Sequence, residues 1–254
     1  MIRPGLVSIT CRQLDAKDVI AVAKEAALET IEWSETHHVD KTDLSQAQMI
    51  GQLCRASSVS VAAYGSYYKL GTGMDGYQSL LAARSLGAPV IRIWAGTQGS
   101  EDVSESQRNE MVLEAKSFVR LAAKLQLSVA LEWHQNTLTD TKISALAFLR
   151  DVDHPNLKTL WQPHPWETQQ QRLEGLEAIQ QKLAHVHVYH WIHTERLPLE
   201  YGTSQWLEYL RLLHGGDRDY GLLLEFVKDD SVDQLIEDAR TLRRLIRDVA
   251  SGSV

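Results

Sequence analysis

The stretch LVSITCRQLDAKDVIAVAKEAALETIEW, residues 6–33, contains the pattern that decides the fold. Two β-rich runs, LVSITC (6–11) and ETIEW (29–33), flank a segment, residues 15–28, with the spacing of an amphipathic helix. The apolar stripe of that helix is formed by Val19, Val22, Ala23 and Ala26. A strand, a helix and a second strand in this order are typical of a β–α–β unit with parallel strands.

The same alternation continues along the chain. Six further runs have strand composition: VSVAAYG (59–65), PVIRIWAG (89–96), SVALEWH (128–134), LKTLWQ (157–162), AHVHVYHW (184–191) and GLLLEFV (221–227). Helical spacing recurs between them, for example in residues 109–125, and a last helix is predicted from about Asp230 or Ser231, either of which can cap it, to Val249.

Eight strands alternating with eight helices predict an α/β protein with a closed (β/α)₈ TIM barrel, formed by one domain over residues 1–254. The alternative is an open doubly wound sheet. Such a sheet usually carries a glycine-rich phosphate loop after its first strand, and TCRQLDAKD (10–18) contains no glycine.

Composition restricts the classes of partner. The net charge of −7 argues against a nucleic acid partner, because proteins that bind phosphate backbones usually have a basic surface. With only two cysteines, Cys11 and Cys54, a disulfide framework is not expected, and a reduced, cytoplasmic setting fits best. The beginning, MIRPGLVSIT, does not resemble a signal peptide, and no membrane segment is predicted.

Polar side chains cluster at the carboxyl ends of the predicted strands, where the active site of a TIM barrel lies. Because side chains alternate along a strand, residues two positions apart share a face. Three such groups are Glu132 with His134, Gln162 with His164, and His185 with His187 and Tyr189. Single polar residues on other strands are Glu32, Arg92 and Glu225. Two carboxylates, an amide and an imidazole could bind a divalent cation such as Mn²⁺, Mg²⁺ or Co²⁺. The alternative is an interior ion-pair network in which Arg92 neutralises Glu32 or Glu132.

Tryptophans also concentrate near these strand ends. Six of the seven follow this pattern: Trp33, Trp94, Trp133, Trp161, Trp166 and Trp191. As a set they favour a polyhydroxylated small molecule, because aromatic faces stack on the C–H faces of sugars. The alternative is that they only fill the mouth of the barrel.

The order and spacing of several segments resemble the xylose isomerase-like TIM barrels, the sugar phosphate isomerase/epimerase superfamily that also includes endonuclease IV (AP endonuclease family 2). The segments are YGSYYKLG (64–71), IRIWAG (91–96), EWHQNTLTDT (132–141), LWQPHP (160–165), HVHVYHW (185–191) and LEFV (224–227). They are distributed over most of the chain. No one segment is specific, and the resemblance rests on their common order.

The resemblance implies a divalent metal ion, Mn, Mg, Co or Zn, held by Glu132, Gln162, His187 and Glu225. Gln162 stands where the family has an aspartate, so the protein charge around the ion falls and metal affinity is expected to be weakened. A second departure is His190, which replaces a family aspartate.

The resemblance also implies how the site works. Glu132 and Glu225 would act as an acid/base pair that moves a proton at the carbon next to a carbonyl group. The expected substrate-binding residues are Glu32, His38, Trp94, His134, His164, His190 and Arg196. The alternative to substrate binding is a salt bridge to Arg92 for Glu32, and a solvated loop charge for Arg196. In the histidine run, His187 is the expected ligand, His185 a core residue and His193 a loop residue.

The favoured function is therefore a metal-dependent isomerase or epimerase of a small sugar or keto-sugar, without nucleic acid or membrane partners. One alternative is a catalytically silent sugar-binding paralogue whose metal site is weakened at Gln162. Another is an AP endonuclease, which needs three zinc ions and further histidines, whereas the third predicted strand ends in YGSYY (64–68). The family contains dimers and tetramers, so a homo-oligomer is possible.

Overall fold

The computed structural model describes residues 2–214 and 219–252. Eight parallel strands close into a barrel in the order β1-β10-β7-β6-β5-β4-β3-β2, which confirms the predicted (β/α)₈ fold. The barrel strands are β1 Ile2–Val7, β2 Thr30–Ser34, β3 Ser60–Lys69, β4 Val90–Trp94, β5 Ser128–Leu131, β6 Leu157–Trp161, β7 Leu183–Val188 and β10 Tyr220–Leu224. Two short strands, β8 His190–Ile192 and β9 Glu195–Leu197, form a separate antiparallel hairpin.

Helices surround the barrel. They are α1 Ala16–Glu25, α2 Leu44–Ala56, α3 Tyr77–Leu86, α4 Glu105–Lys124, α5 Lys142–Val152, α6 Gln169–Ile179, α7 Thr203–Leu213 and α8 Val232–Ala250. Side chains cap most of their first turns, as Ser104 does in a capping box with Gln107. The predicted last helix is confirmed, and its cap is Ser231, which accepts a hydrogen bond from the backbone N–H of Gln234. Within the described ranges no helix is long and apolar enough to cross a bilayer.

The first strand lies earlier than the sequence pattern predicts. The prediction of a strand over residues 6–11 is wrong beyond Val7, because Ser8–Cys11 forms a 3₁₀ helix. Hydroxyl groups in this turn bind neighbouring strand ends: Ser8 Oγ accepts from the Ser34 N–H, and Thr10 donates to the Leu224 carbonyl. These polar contacts end the strand, although the composition of the run favours its continuation.

Apolar residues form two kinds of core. The main cluster lies between strands and helices and includes Ile31 and Trp33 of β2. The barrel interior is filled by small and aliphatic side chains in separate clusters, Ala63, Val90, Ala130, Leu160 and Ala184, and Val7, Ile9, Ala62 and Leu223. Because neighbours along β2 alternate, Ile31 and Trp33 face the helices while Glu32 faces the interior.

His185 crosses the barrel interior as the core residue that the sequence predicts. Its Nε2–H donates to the Ala62 carbonyl at 3.1 Å, and its Nδ1 accepts the Gly221 N–H at 3.0 Å. Burial lowers the pKa of His185 to about 4. The imidazole therefore holds β7 to β3 and β10 as a neutral group, and neither nitrogen is free for a ligand.

A buried carboxylate on α8 anchors the segment that follows the hairpin. Asp238 is 4% exposed and accepts hydrogen bonds from the Leu199 N–H and from Gln234 Nε2. Burial raises the pKa of Asp238 from 3.8 to about 6. The folded state therefore binds this proton more tightly than the unfolded chain, and the resulting stability, present below pH 3.8, is lost as the pH rises through 6.

We expect the free energy of unfolding of the wild type to fall relative to that of Asp238→Asn as the pH rises from about 4 to about 7, since asparagine has no proton to lose. Urea denaturation of both proteins across this range measures the difference. Asp233→Asn, an exposed position on the same helix, is the matched control. A difference between wild type and Asp238→Asn that does not change with pH would contradict the assignment.

Candidate active site

A cavity of about 140 Å³ opens at the carboxyl ends of the barrel strands. Five residues predicted from the sequence lie on its wall: Glu132, His134, Gln162, His164 and Glu225. An apolar cavity of roughly 150 Å³ holds one benzene molecule, so this space is suited to a molecule with a single six-membered ring.

The barrel ladder extends just past each strand and thereby fixes these side chains. Glu132 follows β5, and its N–H bonds to the Ile93 carbonyl of β4 at 3.0 Å. Glu225 follows β10, and its N–H bonds to the Val188 carbonyl of β7 at 3.0 Å. The two carboxylates thus enter the cavity from separate strands on hydrogen-bonded backbone.

A charge network lies below the cavity. Arg92 Nε is 3.2 Å from Glu32 Oε1, and Arg92 Nη1 is 2.8 Å from Glu132 Oε2. Glu32 Oε2 accepts a hydrogen bond from His187 Nε2 at 3.2 Å, and His187 Nδ1 lies 3.3 Å from Glu225 Oε2. The network joins the two cavity carboxylates through three side chains that are almost completely buried.

The proton affinities of this network follow from burial and mutual attraction. Burial opposes ionisation of Glu32, but His187 and Arg92 outweigh it and lower the pKa of Glu32 to about 2. Burial also disfavours a charged His187, yet Glu225 and Glu32 raise its pKa well above the usual value. Glu132 and Glu32 likewise raise the pKa of Arg92. Glu32 is thus an ionised partner of Arg92 and His187. It does not line the cavity, so the structure agrees with the predicted salt bridge to Arg92 rather than with substrate binding.

The donor atoms expected to hold a metal ion fit one chemically. Gln162 Nε2 donates to the Trp133 carbonyl at 2.8 Å, which fixes the amide through its nitrogen. Glu132 Oε2 and His187 Nδ1 are buried and make no well-aligned hydrogen bond. Within residues 2–214 and 219–252, however, no three His, Cys, Asp or Glu side chains converge closely enough to hold an ion.

Two histidines complete the polar part of the wall. His134 Nδ1 donates to the Gln135 carbonyl at 2.6 Å, and its ring packs against Trp94 at 4.5 Å between centroids. Burial, with the nearby His134 and Arg172, lowers the pKa of His164 to about 4. His164 therefore offers the cavity a neutral ring at neutral pH. Trp94 supports His134 from behind and does not line the cavity.

Aromatic side chains form the rest of the wall. Tyr189, Trp191 and Phe226 lie on one side, with the Tyr189 hydroxyl donating to the Pro163 carbonyl at 3.1 Å. Trp166 packs on His193 at 5.3 Å between ring centroids, and both also line the cavity. His193 has a φ of 53° in the tight turn between β8 and β9. Sequence reasoning missed this hairpin, because its two three-residue strands are too short to give a periodic signal.

Besides Glu32 and Trp94, three more predicted substrate-binding residues lie away from the cavity wall. His38 lines a separate depression with Glu35 and Asp40, and its Nε2 contacts the Leu14 carbonyl at 3.2 Å. His190 packs against Gly202, where an added Cβ would meet its ring at 2.5 Å. Arg196 pairs with Asp230, lies over the Trp191 ring and does not itself line the cavity.

Most of the tryptophans do not form the sugar-stacking surface that the sequence favours. Only Trp166 and Trp191 line the cavity. Trp33, Trp133 and Trp161 are completely buried in the main cluster between the barrel and the helices. Strand alternation explains this result, because each is the sequence neighbour of an inward-facing polar residue, Glu32, Glu132 or Gln162.

The fold and the strand-end site define a TIM barrel with paired carboxylates at its mouth. The family model "Xylose isomerase-like TIM barrel" matches residues 20–245, and the chain belongs to this family.

Among curated proteins, the 3-dehydroshikimate dehydratase of Bacillus anthracis is 40% identical over 98 residues, which are 38% of this chain. The match spans about a third, 35%, of the length of that relative. Among solved structures, the probable 3-DHS dehydratase AsbF of Bacillus anthracis superposes with a TM-score of 0.82 at 23% identity, covering 95% of this chain and 98% of that one.

Two further structures share the fold at lower identity. A D-psicose 3-epimerase, determined in the presence of D-fructose, has a TM-score of 0.72 at 15% identity and covers 97% of this chain and 99% of its own. A xylose isomerase-like TIM barrel protein of Mycobacterium smegmatis, in complex with magnesium, has a TM-score of 0.67 at 14% identity, with 97% and 98% covered. Members of this fold thus include a dehydratase, an epimerase and a magnesium-binding protein.

Proposed function

We propose that this protein is a lyase that removes water from a hydroxylated cyclic ketone of the 3-dehydroshikimate class. The observation that carries the proposal is the pair of carboxylates, Glu132 and Glu225, which enter one ring-sized cavity from opposite parts of a buried charge network. The match to a 3-dehydroshikimate dehydratase supports dehydration over the isomerase or epimerase chemistry that the sequence pattern favours.

The reaction needs one base and one acid. One carboxylate takes the proton from the carbon next to the carbonyl group, and the electron pair of that C–H bond forms the new C=C bond. The hydroxyl group on the following carbon leaves, and it departs as water when the second carboxyl group supplies a proton. Tyr189, Trp191 and Phe226 give the flattening ring an apolar surface on which to stack.

A divalent ion would be held by Glu132, Gln162, His187 and Glu225, with Glu32 orienting the imidazole through its Nε2–H. When bound, the ion supplies polarisation of the carbonyl group. His187 would hold the ion as a neutral imidazole, because a ligating imidazole must be neutral. A structural neighbour in complex with magnesium supports a divalent ion for this protein.

The epimerase or isomerase reading is the second candidate, and the neighbouring epimerase structure favours it. Both reactions begin with the same proton removal, and they differ in whether a hydroxyl group leaves before the proton returns. The test is to incubate the protein and Mn²⁺ with 3-dehydroshikimate and with a ketohexose panel in D₂O. 3-Dehydroshikimate is already a conjugated enone, so we expect its loss of water to give an aromatic dihydroxybenzoate, which is detected by ultraviolet absorption at longer wavelength than that of the substrate.

The other outcomes are decisive as well. Deuterium incorporation or epimer formation in a ketohexose, with 3-dehydroshikimate unchanged, would mean that the protein is an epimerase or isomerase and not a dehydratase. Binding of these compounds in calorimetry without exchange or product would mean a catalytically silent paralogue. Cleavage of abasic DNA by the metal-loaded protein would identify an AP endonuclease.

Gln162→Asp is expected to raise Mn²⁺ affinity by about 10- to 100-fold, because it adds a charged oxygen ligand to the proposed donor set. Isothermal titration calorimetry with Mn²⁺ alone measures this effect without any substrate. Gln135→Asp, which puts the same charge on the same cavity wall, is the matched control and should leave affinity nearly unchanged. Equal affinities of wild type and Gln162→Asp would mean that Gln162 does not share a site with Glu132, His187 and Glu225.

A further inference from the structure

Arg196 contacts two aromatic residues of the cavity wall but does not itself line the cavity. In the hairpin, Trp191 of β8 is directly opposite Arg196 of β9. The guanidinium carbon of Arg196 lies 5.3 Å from the Trp191 ring centroid and 4.9 Å from that of Phe226. Trp191 and Phe226 both line the cavity and are 6.0 Å apart. One planar cation therefore contacts both aromatic rings, an arrangement favoured by cation–π attraction.

The same guanidinium is fixed by an acid in the loop after β10. Arg196 Nη1 lies 2.6 Å from Asp230 Oδ1. Arg12, in the loop after β1, pairs with both carboxylate oxygens of Asp230, and Gln13 Nε2 donates to the Asp230 carbonyl. Asp230 thus joins three separate loops at the mouth of the barrel: the first, the last and the hairpin.

The loop that carries Asp230 has an uncommon backbone conformation at three residues. Phe226, Asp229 and Asp230 have φ values of 48°, 58° and 51°, in the left-handed region that favours glycine. Outside contacts hold such a conformation, and here they include Thr10 Oγ1, which accepts the Phe226 N–H at 3.1 Å. Glu225 is the residue directly before this segment, so its backbone continues into the part of the loop that these contacts hold.

We propose that Arg196 is a positioning residue, which couples the hairpin wall to the loop that places Glu225. We refer to Arg196, Asp230 and Arg12 as the rim clamp. The clamp holds Trp191, Phe226 and Glu225 in one arrangement without touching the substrate. Its catalytic consequence rests on the proposed function, whereas its effect on loop dynamics does not.

The test uses Arg196→Gln, Asp230→Asn and the double variant, with amide hydrogen exchange of the full-length protein as the first measurement. We expect exchange to become faster together in residues 189–197 and 225–230 in each single variant. The double variant should be no faster than the faster single variant, because both remove the same contact. Arg196→Lys, which can keep the ion pair but not the planar ring contacts, should be intermediate.

Arg3→Gln is the matched control. It breaks a comparable pair, Arg3 Nη2 to Asp219 Oδ2 at 2.5 Å, at the opposite end of the barrel, and should leave exchange in both segments unchanged. Faster exchange confined to the hairpin, or exchange equal to wild type, would overturn the clamp. Hydrogen exchange needs no substrate, so a failure of the clamp is distinct from a failure of the proposed dehydration.

Where a substrate is turned over, the clamp makes a kinetic prediction as well. Arg196→Gln and Asp230→Asn should both lower kcat, by about 10- to 100-fold, because a displaced base loses its alignment. KM should change by a smaller factor, since Arg196 does not line the cavity. A rise in KM at constant kcat for Arg196→Gln, with Asp230→Asn unchanged, would instead mean that Arg196 binds the substrate.

Discussion

Replacing Glu225 by glutamine is expected to lower kcat by about 10²- to 10⁴-fold, the usual effect of losing a general acid or base. The glutamine has the same shape, so the cavity wall and the backbone bond to Val188 are retained. It cannot take or return the proton at the carbon next to the carbonyl. The measurement is the rate of product formation or of solvent exchange, together with the melting temperature.

Glu237→Gln provides the control, because Glu237 is an exposed carboxylate of α8 that pairs with Arg240. It should have wild-type kinetics. The equivalent variant Glu132→Gln should be as inactive as Glu225→Gln if both carboxylates exchange protons. Activity within a few-fold of wild type in Glu225→Gln, with intact metal binding, would exclude this residue from the chemistry.

Arg92→Met is expected to reduce the free energy of unfolding by about 3–5 kcal/mol, the cost of removing one partner from a buried ion pair. Arg92 is the cation between Glu32 and Glu132, and both carboxylates are less than 8% exposed. Methionine fills much of the space but leaves two buried negative charges in the barrel without this partner. Urea denaturation of the two proteins measures the difference.

A surface pair gives the comparison. Arg108 and Asp151 form an ion pair at 2.7 Å, and their side chains are 24% and 32% exposed. Arg108→Met breaks this pair and should lower the free energy of unfolding by less than about 1 kcal/mol. Adding Glu32→Gln to Arg92→Met should restore part of the lost stability, because it removes one of the unpaired charges. Equal effects of Arg92→Met and Arg108→Met would mean that the network contributes little to stability.

The charge network and the proposed metal site are two uses of the same carboxylates. Sequence reasoning presents an ion-pair network and a metal centre as alternatives, but the structure places Arg92 against Glu132 and His187 against Glu225 at the floor of one cavity. Glu132, His187 and Glu225 would have to leave these two contacts, at least in part, to hold a divalent ion. The loss of these contacts gives a physical reason, beyond the amide at Gln162, to expect weak metal binding.

Strand-end reasoning predicted the barrel and the polar part of the cavity. Residues 6–33 repeat a unit whose period is readable, and side-chain alternation follows from backbone geometry alone. For that reason Glu132, Gln162 and Glu225 could be placed at one mouth before any contact was known. The same rule, applied to their neighbours, would have sent Trp33, Trp133 and Trp161 outward into the helical layer.

The amino-acid sequence by itself therefore determined the closed α/β barrel and the set of polar residues at its mouth, because both depend on local periodicity. Only the tertiary structure decided which of those residues meet. The hairpin His190–Ile192 with Glu195–Leu197, the placement of Arg196 between two aromatic rings, and the separate position of His38 depend on contacts between distant loops. Such contacts leave no periodic signal, since each loop conformation is fixed by partners far away in the chain.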